Sequence, residues 1–462
     1  MRQLGLYHRL PVPLQNLACS WQGWRIQRTR YGGGYAEVYR EVLERSGWDA
    51  GRLVEFRDSR LLEFVRHCAA TVPHYRRTFA ERGVDPSEIR SLADLRRLPL
   101  LSKAELQEHT ADFLSDAPLS GRQAAHTSGT TGAGLRFLTT RQALQEQWAV
   151  WWRFRGWHGI GSGTWCACFG GRSVVPIDAQ RPPFWRYNFP GRQILFCGYH
   201  LSRRYLPHYV AELRRRRPPW LHGYPSLLAL LAAHLLDTGD DLGYAPRWVT
   251  TGAENLLPQQ AELMRQAFGV KPLQHYGMAE GVANASECEN GMLHVDEDFA
   301  AVEFLPAAGE PGSYRLAGVN LSNLAMPLLR YDPGDVVTLG ESCSCGRPGR
   351  VIRSVDGRRE DYVVLRNGAR IGRLDHVFKD LVHIREAQIT QSTAGEMVVS
   401  VVRAQNYTPA DEALLVHELR ARVGDTQFAI VYKDALPRTA SGKLRFVIST
   451  VPEGQLETVN RP

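Results

Sequence analysis

The stretch from Arg247 to His275 constrains the fold more than any other part of this chain. Arg247–Thr251 reads as a strand, Pro258–Phe268 as a helix stopped by Gly269, and Lys271–His275 as a second strand. Strand, helix and strand at this spacing make a parallel α/β unit, because a crossover helix is what joins two parallel neighbours. Just upstream, His222-Gly-Tyr-Pro-Ser226 opens an apolar helix running to about Leu236, its Pro and Ser suited to a helix start. Residues 35–110 read as mostly helical and 301–340 as antiparallel strands with Gly turns. From Gly357 the pattern shifts to short strands and two helices. The expected fold class is α/β: a large multi-layer N-terminal domain over residues 1–356 and a small α+β domain over 357–462. A chain of 462 residues has room for both, at roughly 150 residues per domain.

Composition excludes several classes. With 44% hydrophobic and 23% charged residues, the chain is neither disordered nor fibrous. The apolar run Leu227–Leu236 is interrupted by His234 and is far shorter than the ~20 residues a membrane span needs. The N-terminus lacks the long apolar stretch of a signal peptide, so a cytoplasmic protein is expected. The net charge of +8 favours anionic ligands without implying nucleic acid; a generally Arg-rich surface explains it as well. The Arg214–Arg217 run points in four directions around a helix and reads as a solvated face. Eight cysteines in a chain this long are no disulfide framework. Cys166 and Cys168 share a strand face and read as core.

Six short motifs carry chemistry. Thr127-Ser-Gly-Thr-Thr-Gly-Ala-Gly134 is a pliable loop of backbone N–H and hydroxyl donors, suited to surrounding a phosphate chain; it lacks the Gly-Lys-Ser/Thr ending of a Walker loop. Thr251-Gly-Ala-Glu254 follows the first strand, where small residues let a flat ligand lie on the backbone. His275-Tyr-Gly-Met-Ala-Glu280 follows the second and offers the Tyr276 ring for stacking and the Glu280 carboxylate as a hard oxygen for Mg²⁺. In a parallel sheet these two loops lie side by side. Tyr331-Asp-Pro-Gly-Asp335 holds a carboxylate on a tight turn, fit to accept both hydroxyls of a ribose, though an ordinary turn has the same residues. Gly357-Arg-Arg-Glu-Asp361 and Pro437-Arg-Thr-Ala-Ser-Gly-Lys443 complete the series.

In this order and spacing, over about residues 100–445, the series resembles the adenylate-forming superfamily of acyl-CoA synthetases, adenylation domains and luciferases. Pro183-Phe-Trp-Arg-Tyr187, Gly198-Tyr-His-Leu-Ser202, His222-Gly-Tyr-Pro-Ser226 and Cys343-Ser-Cys-Gly-Arg347 make it most similar to the phenylacetate–CoA ligase branch and related capsule-biosynthesis proteins. The resemblance implies roles. Thr127, Ser128, Gly129, Thr130, Thr131 and Gly132 hold the ATP phosphates. Gly252, Ala253 and Glu254 line the adenine, with Tyr276 and its neighbour Gly277 against it. Glu280 binds Mg²⁺, Asp335 the ribose and Arg358 the ribose–phosphate region, while Lys443 bridges the acyl carboxylate and the α-phosphate. The small domain swings about Glu360. Two positions depart from the pattern: Ala279 stands where the family often has Thr, and Ala133 where it has Lys.

The implied function is ATP-dependent activation of a carboxylic acid, aryl or arylalkyl by the aromatic content of 148–200, as acyl-AMP and then transfer to coenzyme A. Lysine and metal would offset the repulsion between a carboxylate and an anionic α-phosphorus. Tyr199, His200, Tyr224 and His275 are the substrate-pocket candidates, although such aromatics serve equally as core. An amide-, ester- or carrier-loading synthetase and a noncatalytic ATP-binding scaffold are the alternatives. Cys288, His294, Cys343 and Cys345 offer four soft ligands suited to tetrahedral Zn²⁺, the alternative being unrelated thiols and a surface imidazole.

Overall fold

The computed structural model describes residues 2–126, 136–355, 362–434, 436 and 447–451, apart from 173, 177, 203, 255, 257, 308–311, 372–373, 375–376, 378–380, 382 and 404–406. Its centre is the parallel unit expected from 247–275. Five strands run parallel in the order Gln193–Cys197, Cys166–Gly170, Trp220–Gly223, Trp248–Thr251 and Leu273–Gly277. Trp185–Asn188 closes one edge antiparallel. Beyond Gly277 the sheet turns antiparallel through Asn284–Glu287, Leu293–Val295, Val351–Val355, Val336–Leu339 and Ser313–Val319. Register sets where the parallel strands end. Phe169 pairs with Gly223, Gly223 with Thr251 and Thr251 with Gln274, so the carboxyl ends of these strands open level with one another on one side. Crevices at such ends are where open α/β sheets bind ligands.

The helices start and stop where their sequences dictate. Pro225–Thr238 has proline in its first turn and Gly239 at φ 63° beyond its end, a left-handed position that glycine takes without steric cost. Arg141–Trp157 is capped by Thr140, whose hydroxyl accepts from the Ala143 N–H at 3.1 Å, satisfying one orphan donor of the first turn. The main core packs these helices on the parallel strands, with Phe169 and Phe196 stacked 4.7 Å apart. The strand expected to end at His275 continues to Gly277, because Gly277 pairs with Asn284 across the antiparallel turn.

After residue 361 the described residues include a four-stranded sheet, in the order Gln427–Tyr432, Glu396–Arg403, Ile384–Thr393 and Val447–Ser449, and the α-helix Pro409–Val423. At the other end, Val12–Tyr31 is a 20-residue helix lying on the Trp185–Asn188 edge strand. Its approach is close enough that a Cβ on Gly23 would sit 1.9 Å from Asn188 Oδ1. The N-terminal helices and the Arg141–Trp157 helix are also tied by buried ion pairs to the segment that follows the Leu293–Val295 strand. Arg45 reaches Asp298 at 2.7 Å, Arg57 reaches Glu297 at 2.8 Å, and Arg153 bridges Asp296 and Asp298 at 2.7 and 2.8 Å. Removing one partner strands a buried charge, so such clusters fix one arrangement of the elements they join. The Arg214–Arg217 run is on the surface as expected, Arg215 and Arg216 pairing with Glu212. Among the described residues no helix is long and apolar enough to cross a membrane.

Candidate active site

The level strand ends open into a cavity of about 1330 Å³. Gly252, Ala253 and Glu254 leave the Trp248–Thr251 strand directly into its wall, and His275, Tyr276, Gly277, Ala279 and Glu280 do the same from the next strand. The expectation that these loops sit side by side is met by the Thr250–Leu273 pairing beneath them. Ala253 holds φ 70°, a conformation that costs a non-glycine residue strain and that clusters at ligand sites. Gly277 tolerates no side chain, since a Cβ would lie 2.5 Å from Asn284 Oδ1. Asp335 arrives from the Tyr331–Asp335 turn, where the Asp332 carboxylate accepts from the Gly334 N–H at 2.8 Å. The Tyr276 hydroxyl donates to Asp335 Oδ2 at 2.8 Å. An aromatic ring and a carboxylate from segments 59 residues apart are thus locked together. Glu280 is 9% exposed on the same wall.

The opposite wall is the Arg141–Trp157 helix, which contributes Leu144, Gln147, Trp148, Trp151, Trp152 and Arg155. His275 joins the two walls. Its ring stacks on Phe154 and meets Trp151 edge-on at 5.2 Å. Its Nε2 lies 2.9 Å from Asn284 Oδ1, which also accepts from Trp151 Nε1 at 2.9 Å, while Asn284 Nδ2 donates to Asp296. An amide oxygen only accepts, so Nε2 carries the proton and Nδ1 is left as an acceptor. Burial pushes His275 down to about 4 and His222, on the neighbouring strand, to about 3. Both are neutral at pH 7.

Tyr224 and His275 line the cavity as expected of pocket residues, but Tyr199 and His200 do not. They occupy a short turn after the Gln193–Cys197 strand, on the core side, with His200 fully buried and stacked on Phe184 at 4.5 Å. Aromatic residues on that turn serve packing. Cys166 and Cys168 do share a strand face, their sulfurs 3.5 Å apart, yet both also line the cavity. His222, Arg155 and the contribution of the N-terminal helix through Arg28, Arg30 and Tyr31 were not among the expected site residues. Only the tryptophan-rich spacing around Arg155 hinted at any of them. The 127–134 loop, Arg358, Glu360 and Lys443 lie outside the described residues.

A second cluster stands apart from the cavity. The ligand atoms of Cys288, His294, Cys343 and Cys345 all lie within 4.8 Å of one another. Sulfurs about 2.3 Å from a tetrahedral zinc stand about 3.8 Å apart, and those of Cys288 and Cys343 are 3.7 Å apart. His294 directs Nε2 at Cys345 Sγ, 3.3 Å away, while Nδ1 faces the Pro348 carbonyl oxygen at 3.3 Å, the outer-shell contact that orients a metal-binding imidazole. The donor set fits Zn²⁺.

Comparison with known proteins finds relatives along most of the chain. A family model described as the CapK C-terminal domain matches residues 363–450. Protein CapK of Staphylococcus aureus is 25% identical over 96% of this chain and 99% of its own length. The phenylacetate-coenzyme A ligase of Thermus thermophilus is 28% identical over 68% of this chain and 72% of its own. Among solved structures, a 2-hydroxyisobutyryl-CoA ligase in complex with 2-HIB-AMP and CoA has a TM-score of 0.57 at 20% identity, covering 90% of this chain and 94% of that one. That likeness establishes the fold.

Proposed function

This chain belongs to the adenylate-forming superfamily, on its phenylacetate–CoA ligase-like branch, and from that premise we propose that it activates a carboxylic acid with ATP as acyl-AMP, releasing pyrophosphate, and passes the acyl group to coenzyme A. The observation that carries the reading is the convergence of four separated segments on one cavity: Gly252–Glu254, Tyr276–Glu280, Asp335 and the tryptophan face of the Arg141–Trp157 helix.

The strand-end wall receives the nucleotide. Adenine lies on the bare backbone of Gly252 and Ala253 beside Glu254, against the Tyr276 ring at Gly277, and the ribose hydroxyls donate to Asp335. Tyr276 holds that carboxylate in place through its own hydroxyl. Glu280 supplies a hard oxygen to Mg²⁺, which when bound offsets phosphate charge. The loop from Thr127 through Ser128, Gly129, Thr130 and Thr131 to Gly132 cradles the phosphates, Arg358 reaches the ribose–phosphate region, and Lys443 neutralises charge between carboxylate and α-phosphorus as the bond forms. Tyr224 and His275 border the acid, which is aryl or arylalkyl in keeping with the indole-rich wall.

The domain boundary falls at 356/357, and the small domain carrying Lys443 turns about Glu360 between activation and transfer. Cys288, His294, Cys343 and Cys345 would hold Zn²⁺, which would pin the Cys343–Arg347 loop to the sheet. The eight cysteines form no disulfide, which suits a reducing, cytoplasmic setting. Hydroxylamine trapping of acyl-AMP across a panel of acids, with ATP and Mg²⁺, tests the activation step. Hydroxamate formed with no acid of the panel would overturn it. Comparing coenzyme A with amines and a carrier protein as acceptors then tests the second step.

A further inference from the structure

One end of the cavity carries a cationic patch to which none of the roles proposed above is assigned. Arg155 follows the helix cap Thr140 by fifteen residues, a rise of about 22 Å, so it lies at the end of the helix away from the hairpin that leads into the 127–134 loop. Its guanidinium is surrounded by indoles, 4.7 Å from the Trp152 ring, 5.3 Å from Trp220 and 5.6 Å from Trp148. Arg30, from the N-terminal helix, lies 3.8 Å over the other part of this stack at Trp148. Arg172 enters from the loop after the Cys166–Gly170 strand, and all three line the cavity.

None of the three is ion-paired among the described residues, in contrast to Arg45, Arg57, Arg60 and Arg153, each of which has a carboxylate partner. The cavity's own carboxylates, Glu254, Glu280 and Asp335, come from the strand-end wall. Burial, with the charges of Arg172 and Arg155 adding to it, pushes Arg30 down to about 10, and burial lowers Arg155 as well. The nearby His222 and His275 are neutral at pH 7. Guanidinium groups stacked on indoles keep their in-plane N–H donors for a planar anion, and an unpaired cluster of like charges in a partly buried cavity is costly until an anion fills it.

We propose that this end of the cavity binds a second anionic group of the substrate acid, so that the protein selects acids carrying a carboxylate, sulfonate or phosphate remote from the carboxylate being activated. The inference rests on the reading of this cavity as the site of acid activation, and it names the substrate class for it.

Calorimetric binding without ATP separates the two claims. The probes are three matched pairs: phenylacetate and 4-carboxyphenylacetate, 4-methylbenzoate and terephthalate, hexanoate and adipate. The dianionic member of at least one pair should bind about ten- to a hundred-fold tighter than its partner, with affinity falling as salt rises. Arg155→Met should collapse that ratio, and Arg172→Gln, at an exposed position, should reduce it without risk to folding. Equal or weaker binding of the dianion in every pair overturns the inference, as does a ratio unmoved in both variants. Displacement of the bound dianion by ATP or pyrophosphate also overturns it, by assigning the arginines to phosphate. Pyrophosphate exchange on the same acids reports the activation reading independently. Exchange without dianion preference leaves activation standing and removes this inference; preference without exchange does the reverse.

Discussion

The two walls of the cavity are built on different principles. The strand-end wall is made of contiguous motifs, Gly252–Glu254, His275–Glu280 and Tyr331–Asp335, each a short loop leaving a strand. The helical wall is made of single residues spread along Arg141–Trp157 and joined by Arg30 and Tyr31 from more than a hundred residues away. On the function proposed above, the strand-end wall meets the nucleotide, a constant ligand that backbone-rich turns can recognise locally. The helical wall then meets the acid, the variable ligand, and depends on which side chains packing brings to one face. The same contrast holds for the two Cys-x-Cys pairs. Cys166 and Cys168 sit on a strand and line the cavity, whereas Cys343 and Cys345 sit in a loop where Cys288 and His294 complete a metal-ligand set.

The largest effect expected on the nucleotide side is at Lys443. Lys443→Ala should cut acid-dependent ATP–pyrophosphate exchange by about 10²–10³-fold, the loss of one transition-state charge contact, while ATP binding by calorimetry stays largely intact. Exchange at the wild-type rate would remove the assigned role and leave the strand-end wall a binding surface only.

A pair of substitutions then tests whether the walls divide the work. Asp335→Ala should raise KM for ATP about ten-fold or more through loss of charged hydrogen bonds, with the order of preferred acids unchanged. Trp151→Leu should reorder the acids and leave KM for ATP within about two-fold, since it removes packing area rather than a polar contact to the nucleotide. If both variants shift both parameters alike, the division fails.

The cysteine contrast is tested by metal content. Purified protein should hold one zinc per chain, and Cys345→Ser should lower zinc and melting temperature together, whereas Cys168→Ser should leave zinc unchanged. Zinc absent from metal-replete protein would reduce Cys288, His294, Cys343 and Cys345 to unrelated side chains.

The smallest effect concerns His275, at the seam of the walls. Its folded-state value of about 4 lies below the ordinary 6.5, so the folded protein resists its protonation. The stability this contributes is complete above about pH 6.5 and is lost as pH falls through 6.5 towards 4. The fall in melting temperature between pH 7 and pH 5 should therefore shrink in His275→Gln, by about 2 °C. An unchanged pH dependence would show that the ring takes up its proton without cost.

The sequence alone carried the parallel unit at 247–275, the helices at 225–238 and 258–268 to within a residue or two, and the loops that leave the two strands at 252–254 and 276–280, because each is encoded by a local pattern: an apolar run, a proline or glycine at a fixed offset, small residues after a strand. The gathering of Cys288, His294, Cys343 and Cys345 was legible too, since such residue types are few and their chemistry narrow. Tertiary structure decided the acid's surroundings. Nothing in the spacing of Arg30, Arg155 and Arg172 marks them as neighbours, and nothing separates Tyr224, on the cavity, from Tyr199 and His200, in the core. A side chain's face is set by the register of its strand and by which helix lies across it, and those depend on contacts between residues far apart in the chain. At Thr250–Leu273 the register places two loops on one rim; across the Arg141–Trp157 helix, packing alone turns three tryptophans and an arginine towards the same cavity.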